Sequence, residues 1–215
     1  MSHRCPVCRA GRSSRLLEVE RRCYWRCPEC LATFLQPDQR PDRKAEKDEY
    51  DQHRNSVNDP GYRAFLAPAA RALSDRVAAG GQILDYGCGP GPALAAMLTE
   101  HGYNVSLYDP IYQPDTAALG RRYDAITCTE VVEHFHHPAE EFRHLNDLLR
   151  PNGWLIVMTR FQTDDARFAR WHYRRDPTHV VFYRPQTFAA VGRQLNWEVQ
   201  CKPPQLALIR KLGRI

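Results

Sequence analysis

The chain has 215 residues, 43% of them hydrophobic, and a net charge of +5. That is room for one full domain with a small appendage, and the mild positive charge is compatible with a polyanionic partner without requiring one. No apolar run reaches bilayer-crossing length and no apolar signal region follows Met1, so a cytoplasmic protein without membrane spans is expected, and its eight cysteines are not expected to form disulfides.

The first element is read from cysteines. Cys5-Pro-Val-Cys8 and Cys27-Pro-Glu-Cys30 are two C-x-x-C knuckles with eighteen residues between them. Each knuckle turns tightly enough for two thiolates to reach one ion, and two knuckles close a tetrahedron with no open position. A structural zinc ribbon is therefore expected over residues 1–36, with Arg15 to Glu20 and Cys23 to Arg26 as its hairpin. Cys23 lies outside both knuckles. The ribbon carries seven arginines against three glutamates. A face of that kind can meet nucleic acid, a protein partner or the ribbon's own catalytic domain, and charge alone leaves the three open.

Residues 37–60 read as a charged linker with a helix from Arg43 to Asp51. Gly61 to Ala78 then places Phe65, Leu66, Ala69, Leu73 and Val77 at helical spacing. Gln82 to Asp85 is a short apolar strand that ends in the turn Asp85-Tyr-Gly87-Cys88-Gly89-Pro-Gly91. A helix from Pro92 to His101 and a strand from Asn104 to Tyr108 follow. Asp109 lies 24 residues beyond Asp85, where an acid ending a second parallel strand can bind a ribose diol. Glycines allow close backbone approach and positive φ. Their order, D-x-G-x-G-x-G, is not the G-x-G-x-x-G that suits a pyrophosphate.

This turn resembles motif I of the class I S-adenosylmethionine (SAM)-dependent methyltransferases, with Asp109 as the matching ribose acid. The resemblance implies a Rossmann-like, doubly wound α/β sheet over residues 61–215. It implies SAM contacts from Asp85, Gly87, Cys88, Gly89, Gly91, Asp109, Thr129 and Glu130. Only fourteen residues separate Asp109 from Asp124, too few for a full helix and third strand. A short third strand is expected near Thr116 to Leu119, with Asp115 as a weak candidate for adenine contact.

Tyr123 to Cys128 reads as a buried strand leading into Glu130-Val-Val-Glu133-His134. On a helical turn, positions i, i+3 and i+4 share a face, so two carboxylates and an imidazole would form half of a divalent-metal site. Pro138 starts a helix through Leu149, and Trp154 to Thr159 is the next strand. The E-x-x-E-H motif resembles the ubiquinone-biosynthesis O-methyltransferases and the small-RNA 3′-terminal 2′-O-methyltransferases. The second resemblance implies a further ligand from a later segment, here His179. Glu130, His134 and His179 are thus the candidate catalytic residues. Glu130, Glu133, His134 and His179 are the candidate ligands of Mg²⁺, Mn²⁺ or another divalent metal. Without metal, Glu130 would contact the methionine end of SAM and His134 would act as a base.

Residues 160–184 hold six arginines and several aromatics and are expected to form a lid over the acceptor, with Trp171, His172, Tyr173 and Arg174 as weak site candidates. Trp197 to Gln200 and Gln205 to Arg210 should close the sheet as antiparallel strands. The reading is an enzyme acting on oxygen, its acceptor a small aromatic or diol metabolite or an RNA end. The other reading is a non-catalytic module that uses the fold to bind SAM, nucleic acid or protein.

Overall fold

A computed structural model of the chain describes residues 3–52 and 56–213. Six strands form the main sheet: β4 (Gln82–Tyr86), β5 (Asn104–Tyr108), β6 (Tyr123–Thr129), β7 (Leu149–Met158), β9 (Trp197–Lys202) and β10 (Leu206–Lys211). Their order is β5-β4-β6-β7-β10-β9; the first four are parallel, and β10 runs antiparallel between β7 and β9. Strands β4, β6 and the end of β7 are apolar runs buried on both faces, as helices above and below require, while the edge strand β5 is only half-buried. Helices α2 (Pro60–Ser74) and α3 (Ala93–Glu100) cover one face through Leu66, Leu73, Leu94 and Leu98. Helices α4 (Pro138–Leu148) and α5 (Pro185–Leu195) cover the other through Phe142, Leu145 and Phe188.

Two expectations about these elements change. Thr116–Gly120 is a 3₁₀ turn capped by the Asp115 side chain, not a strand, so the sheet ends at β5 and Asp115 is used in holding that turn. The fourteen-residue connection is simply too short to cross the sheet and return. The strand expected from Trp154 begins earlier, at Leu149: residues 150–153 join β7 as an irregularity, and pairing with β6 resumes at Ala125 and Trp154.

The N-terminal segment builds a second sheet from β1 (Ser14–Val19), β2 (Arg22–Arg26) and β3 (Thr33–Leu35). Its fourth strand is β8 (Val181–Phe182), from the segment after β7, paired antiparallel with β3. The ribbon has no core of its own. Tyr24, Phe34 and Leu35 are fully buried in the same apolar cluster as Phe142, Phe168 and Phe188. Both knuckles bond to the helices of this face: Thr187 donates to the Cys30 carbonyl at 2.8 Å and Gln194 to the Cys8 carbonyl at 2.9 Å. A segment this short cannot bury enough surface alone, and the shared core supplies the rest.

The charged stretch is more than a connector. Its helix α1 (Arg43–Tyr50) is N-capped by Asp42 and lies across the open end of the parallel strands. Arg43 donates to the Pro110 carbonyl at 2.6 Å, Tyr112 to Asp51 at 2.6 Å, and Glu46 pairs with His136 at 2.8 Å.

Candidate active site

Strand β4 delivers Asp85 to the C-terminal edge of the sheet, where the turn after it opens a cleft. Gly87 and Gly89 have φ of +75° and +64°, a conformation that favours glycine. A Cβ on Gly87 would stand 2.5 Å from Val131 Cγ2, so the residue is fixed by space as well as by φ. The turn is tied to β5: the Gly87 N–H donates to the Tyr108 carbonyl at 2.7 Å, and the Cys88 N–H to the same oxygen at 3.2 Å. The Gly89 N–H donates to Asp109 Oδ2 at 3.0 Å. Asp109 Oδ1 accepts from the N–H groups of Ile111 and Tyr112, at 2.8 and 3.0 Å, so the ribose-acid candidate is locked in one orientation beside the glycine turn. Gly91 is buried where α3 begins, and its carbonyl accepts from Ala93 at 2.7 Å.

Asp85 is 3% exposed and accepts from Thr127 Oγ1 at 2.7 Å. Burial pushes its carboxyl up to about 6 against the Thr127 hydrogen bond. The hydroxyl of Tyr62, from α2, shares this surrounding: burial first, then the charges of Asp85 and Glu130, push it up to about 12.

Glu130 follows β6 with φ +54°, and Val132–His134 is a single 3₁₀ turn. The motif is therefore not one continuous helical face. The backbone reversal at Glu130 separates it from the other two residues, and His179 arrives from the lid instead. One ligand atom each from Glu133, His134 and His179 lies within 4.8 Å of the others, and Glu130 stands beside this trio rather than in it. Glu133 is fully buried; Tyr173 donates to its Oε1 at 2.5 Å, while Oε2 has no hydrogen-bond partner among the described residues. His134 donates from Nδ1 to the Thr178 carbonyl at 3.1 Å, and His179 from Nδ1 to the Tyr173 carbonyl at 2.6 Å. Both bonds put a proton on Nδ1, the outer partner that a metal-bound histidine uses, and His179 Nε2 also lies 3.6 Å from Asp176 Oδ2. The two rings are 4.7 Å apart. Burial lowers His134, favouring neutral imidazole, and raises Glu133. Burial, then the Glu133 charge, pushes Glu130 up to about 8, and Glu130 Oε1 also has no partner among the described residues. Buried carboxylate oxygens left unbonded beside two oriented imidazoles fit a divalent cation.

The lid candidates divide. Tyr173 belongs to the site through Glu133 and a 3.2 Å contact with Thr159. Trp171 packs on Tyr173 with ring centres 5.1 Å apart. His172 is exposed and its neighbour Arg174 points the other way, fully buried against Glu20 and Tyr24 of the ribbon hairpin. Arg174 is thus an internal tie, because a helical turn sends adjacent side chains in different directions. Sequence reasoning missed Tyr50, whose ring meets that of His134 edge-on at 5.2 Å. The available signal was its place four residues after Glu46 on α1, one helical face holding both the His134 and the His136 contacts.

In the ribbon, Cys5, Cys27 and Cys30 are fully buried and Cys8 is 8% exposed. Sγ atoms lie 3.6 Å apart for Cys5 and Cys30, and 3.5 Å apart for Cys8 and Cys27. Tetrahedral zinc with sulfurs at about 2.3 Å separates them by about 3.8 Å, so the four sulfurs fit zinc with little movement.

Known proteins agree with this fold. A family model described as a methyltransferase domain matches residues 50–202. The ubiquinone biosynthesis O-methyltransferase of Rickettsia bellii is 29% identical over 107 residues, covering 40% of this chain and 44% of the relative. The protein of that name from Serratia proteamaculans is 32% identical over 76 residues, 35% of this chain and 32% of its own. The chain thus spans less than half the length of these curated relatives. Among solved structures, the 1,6-didemethyltoxoflavin-N1-methyltransferase of Burkholderia thailandensis superposes with a TM-score of 0.58 at 16% identity, over 94% of this chain and all of the other. An O-methyltransferase family protein from the same organism gives 0.53 at 16% identity, over 80% and 60%. The fold is that of the class I SAM-dependent methyltransferases. The chain belongs to the methyltransferase-domain family. Among the described residues, no helix is long and apolar enough to cross a membrane.

Proposed function

We propose that this chain transfers a methyl group from SAM to an oxygen of a small acceptor carrying two neighbouring oxygens, with a divalent cation held by Glu133, His134 and His179. The observation that carries this reading is the unbonded, buried Glu133 Oε2 beside two histidines oriented through Nδ1. The curated relatives named as O-methyltransferases support oxygen as the accepting atom.

In this reading Asp109 and the Gly87, Cys88, Gly89 and Gly91 backbone hold the nucleoside. Asp85 faces the cationic amino-acid end, and Thr129 and Glu130 border the methyl group. SAM supplies an electrophilic methyl group. A bound divalent cation supplies the positive charge that lowers the pKa of the acceptor hydroxyl and aligns its neighbour. Tyr173 fixes Glu133, and the Thr178 and Tyr173 carbonyls fix the imidazoles, so the acceptor meets a preset trio. Glu130 Oε1 is the proton acceptor in this reading; burial and the Glu133 charge raise its carboxyl to about 8, so its ionised, proton-accepting form grows as pH rises through that value. Tyr50 and Trp171 close the sides against water. Residues 1–36 form the zinc ribbon, 37–60 a cover and 61–215 the catalytic domain.

A small acceptor is supported over an RNA end because three of the ribbon's seven arginines are bound to the rest of the chain. Arg9 pairs with Glu140, Arg26 with Asp165, and Arg22 donates to the Pro177 carbonyl at 2.7 Å. The test is methyl transfer from labelled SAM to catechols and to total RNA, with chelator and with Mn²⁺ restored. Label in the catechol that chelator abolishes and Mn²⁺ restores is expected. Transfer indifferent to chelator, or confined to RNA, would overturn the proposal.

A further inference from the structure

The segment that brings Tyr173 and His179 to the site is attached to the ribbon at every turn. Arg174, fully buried and adjacent to Tyr173, pairs with Glu20 of the β1–β2 turn at 2.8 Å and lies over the Tyr24 ring at 6.0 Å. Arg22 reaches the Pro177 carbonyl at 2.7 Å, two residues before His179. The Leu35 N–H donates to the Val180 carbonyl at 2.8 Å, immediately after His179, and β3 then pairs with β8. On its other side the same segment meets the site: the Val180 N–H donates to the Glu133 carbonyl at 2.9 Å and the Thr178 carbonyl orients His134. Residues 172–182 are a layer one segment thick, with the ribbon hairpin behind and the Glu133–His134 turn in front.

We infer that the ribbon hairpin is the positioning element of the acceptor half of the site, with Glu20, Arg22 and Arg174 as positioning residues that set Tyr173 and His179. The cofactor half, Asp85 to Gly91 with Asp109, is held by β4 and β5 and makes none of these contacts. The ribbon therefore governs the trio and leaves the nucleoside cleft alone. Zinc in the knuckles acts on the reaction at a distance, because it fixes the hairpin against which the segment is laid.

This inference rests on the metal reading above, and its test separates the two. The full-length zinc-loaded protein and its Glu20→Gln/Arg22→Gln variant are compared; both substituted side chains are outside the core, so folding is retained. Amide hydrogen exchange, Mn²⁺ affinity and S-adenosylhomocysteine affinity are measured on each. Exchange over 172–182 should quicken about three- to fivefold, with β4 and β6 unchanged. Mn²⁺ affinity should fall by a similar factor while S-adenosylhomocysteine affinity and zinc content hold. Unchanged exchange over 172–182 overturns the inference. So does unchanged Mn²⁺ affinity, or a parallel fall in affinity for both ligands. If the unsubstituted protein binds no Mn²⁺ at the trio, the metal reading fails by itself, and exchange over 172–182 decides the positioning role. Arg174→Lys, which keeps the charge and loses the planar fork, should show the same split more weakly.

Discussion

Replacing Asp85 by Asn sets stability against function. Asp85 is 3% exposed, and burial raises its carboxyl from 3.8 to about 6. That displacement opposes the ionised form by about 3 kcal/mol at neutral pH. Asn keeps an acceptor for Thr127 but loses the charge that strengthens that bond, a loss of about 1–2 kcal/mol. The free protein should therefore gain about 1 kcal/mol at pH 7 on Asp85→Asn. The sign follows from linkage. A carboxyl raised by folding favours the folded state fully below its unfolded value, and that support is lost as pH rises through the folded value. The gain should shrink as pH falls from about 6 and reverse by pH 4, where the wild-type carboxyl is protonated. Urea unfolding at several pH values measures this, and calorimetry should find S-adenosylhomocysteine bound at least tenfold more weakly by the variant. A stability difference independent of pH would refute the argument that Asp85 is held against its own desolvation.

Other perturbations reach different parts of the account. Gly87→Ala meets both φ +75° and a 2.5 Å contact with Val131, and should cost about 2–4 kcal/mol in urea unfolding; a loss below about 0.5 kcal/mol would show that the turn relaxes freely. Glu133→Gln should reduce Mn²⁺ affinity tenfold or more with S-adenosylhomocysteine affinity retained; equal losses of both would point to a structural role. Cys27→Ser should lose the single tightly held zinc expected of the ribbon, seen by metal analysis, and expose Trp25 to fluorescence quenchers; full zinc content in that variant would remove Cys27 from the ligand set.

What the sequence displayed was local. The glycine turn, Asp109 and both knuckles are legible because each works through neighbours within a few positions, and the apolar runs of β4, β6 and β7 mark strands buried on both faces. Contacts between distant segments were not legible. Nothing in Thr33 to Leu35 announces pairing with Val181 and Phe182, a partnership fixed only when both reach the same edge. The i, i+3, i+4 spacing implied one helical face, but Glu130 adopts a left-handed backbone that spacing cannot reveal. Arg174 looked like a substrate contact because charge suggests a surface; its burial against Glu20 and Tyr24 depends on where the ribbon docks. Tyr50 looked like part of a solvated connector because α1 is strongly charged, and only the tertiary fold turns it toward His134.

The most direct measurement is a crystal of the full chain grown with S-adenosylhomocysteine and Mn²⁺, with diffraction recorded at the manganese edge. An anomalous peak about 2.2 Å from Glu133 and from the Nε2 atoms of His134 and His179, with the nucleoside over Gly87 to Gly89 and its ribose on Asp109, is the expected result. A peak elsewhere, or a glycine cleft that stays empty at saturating ligand, would contradict the account.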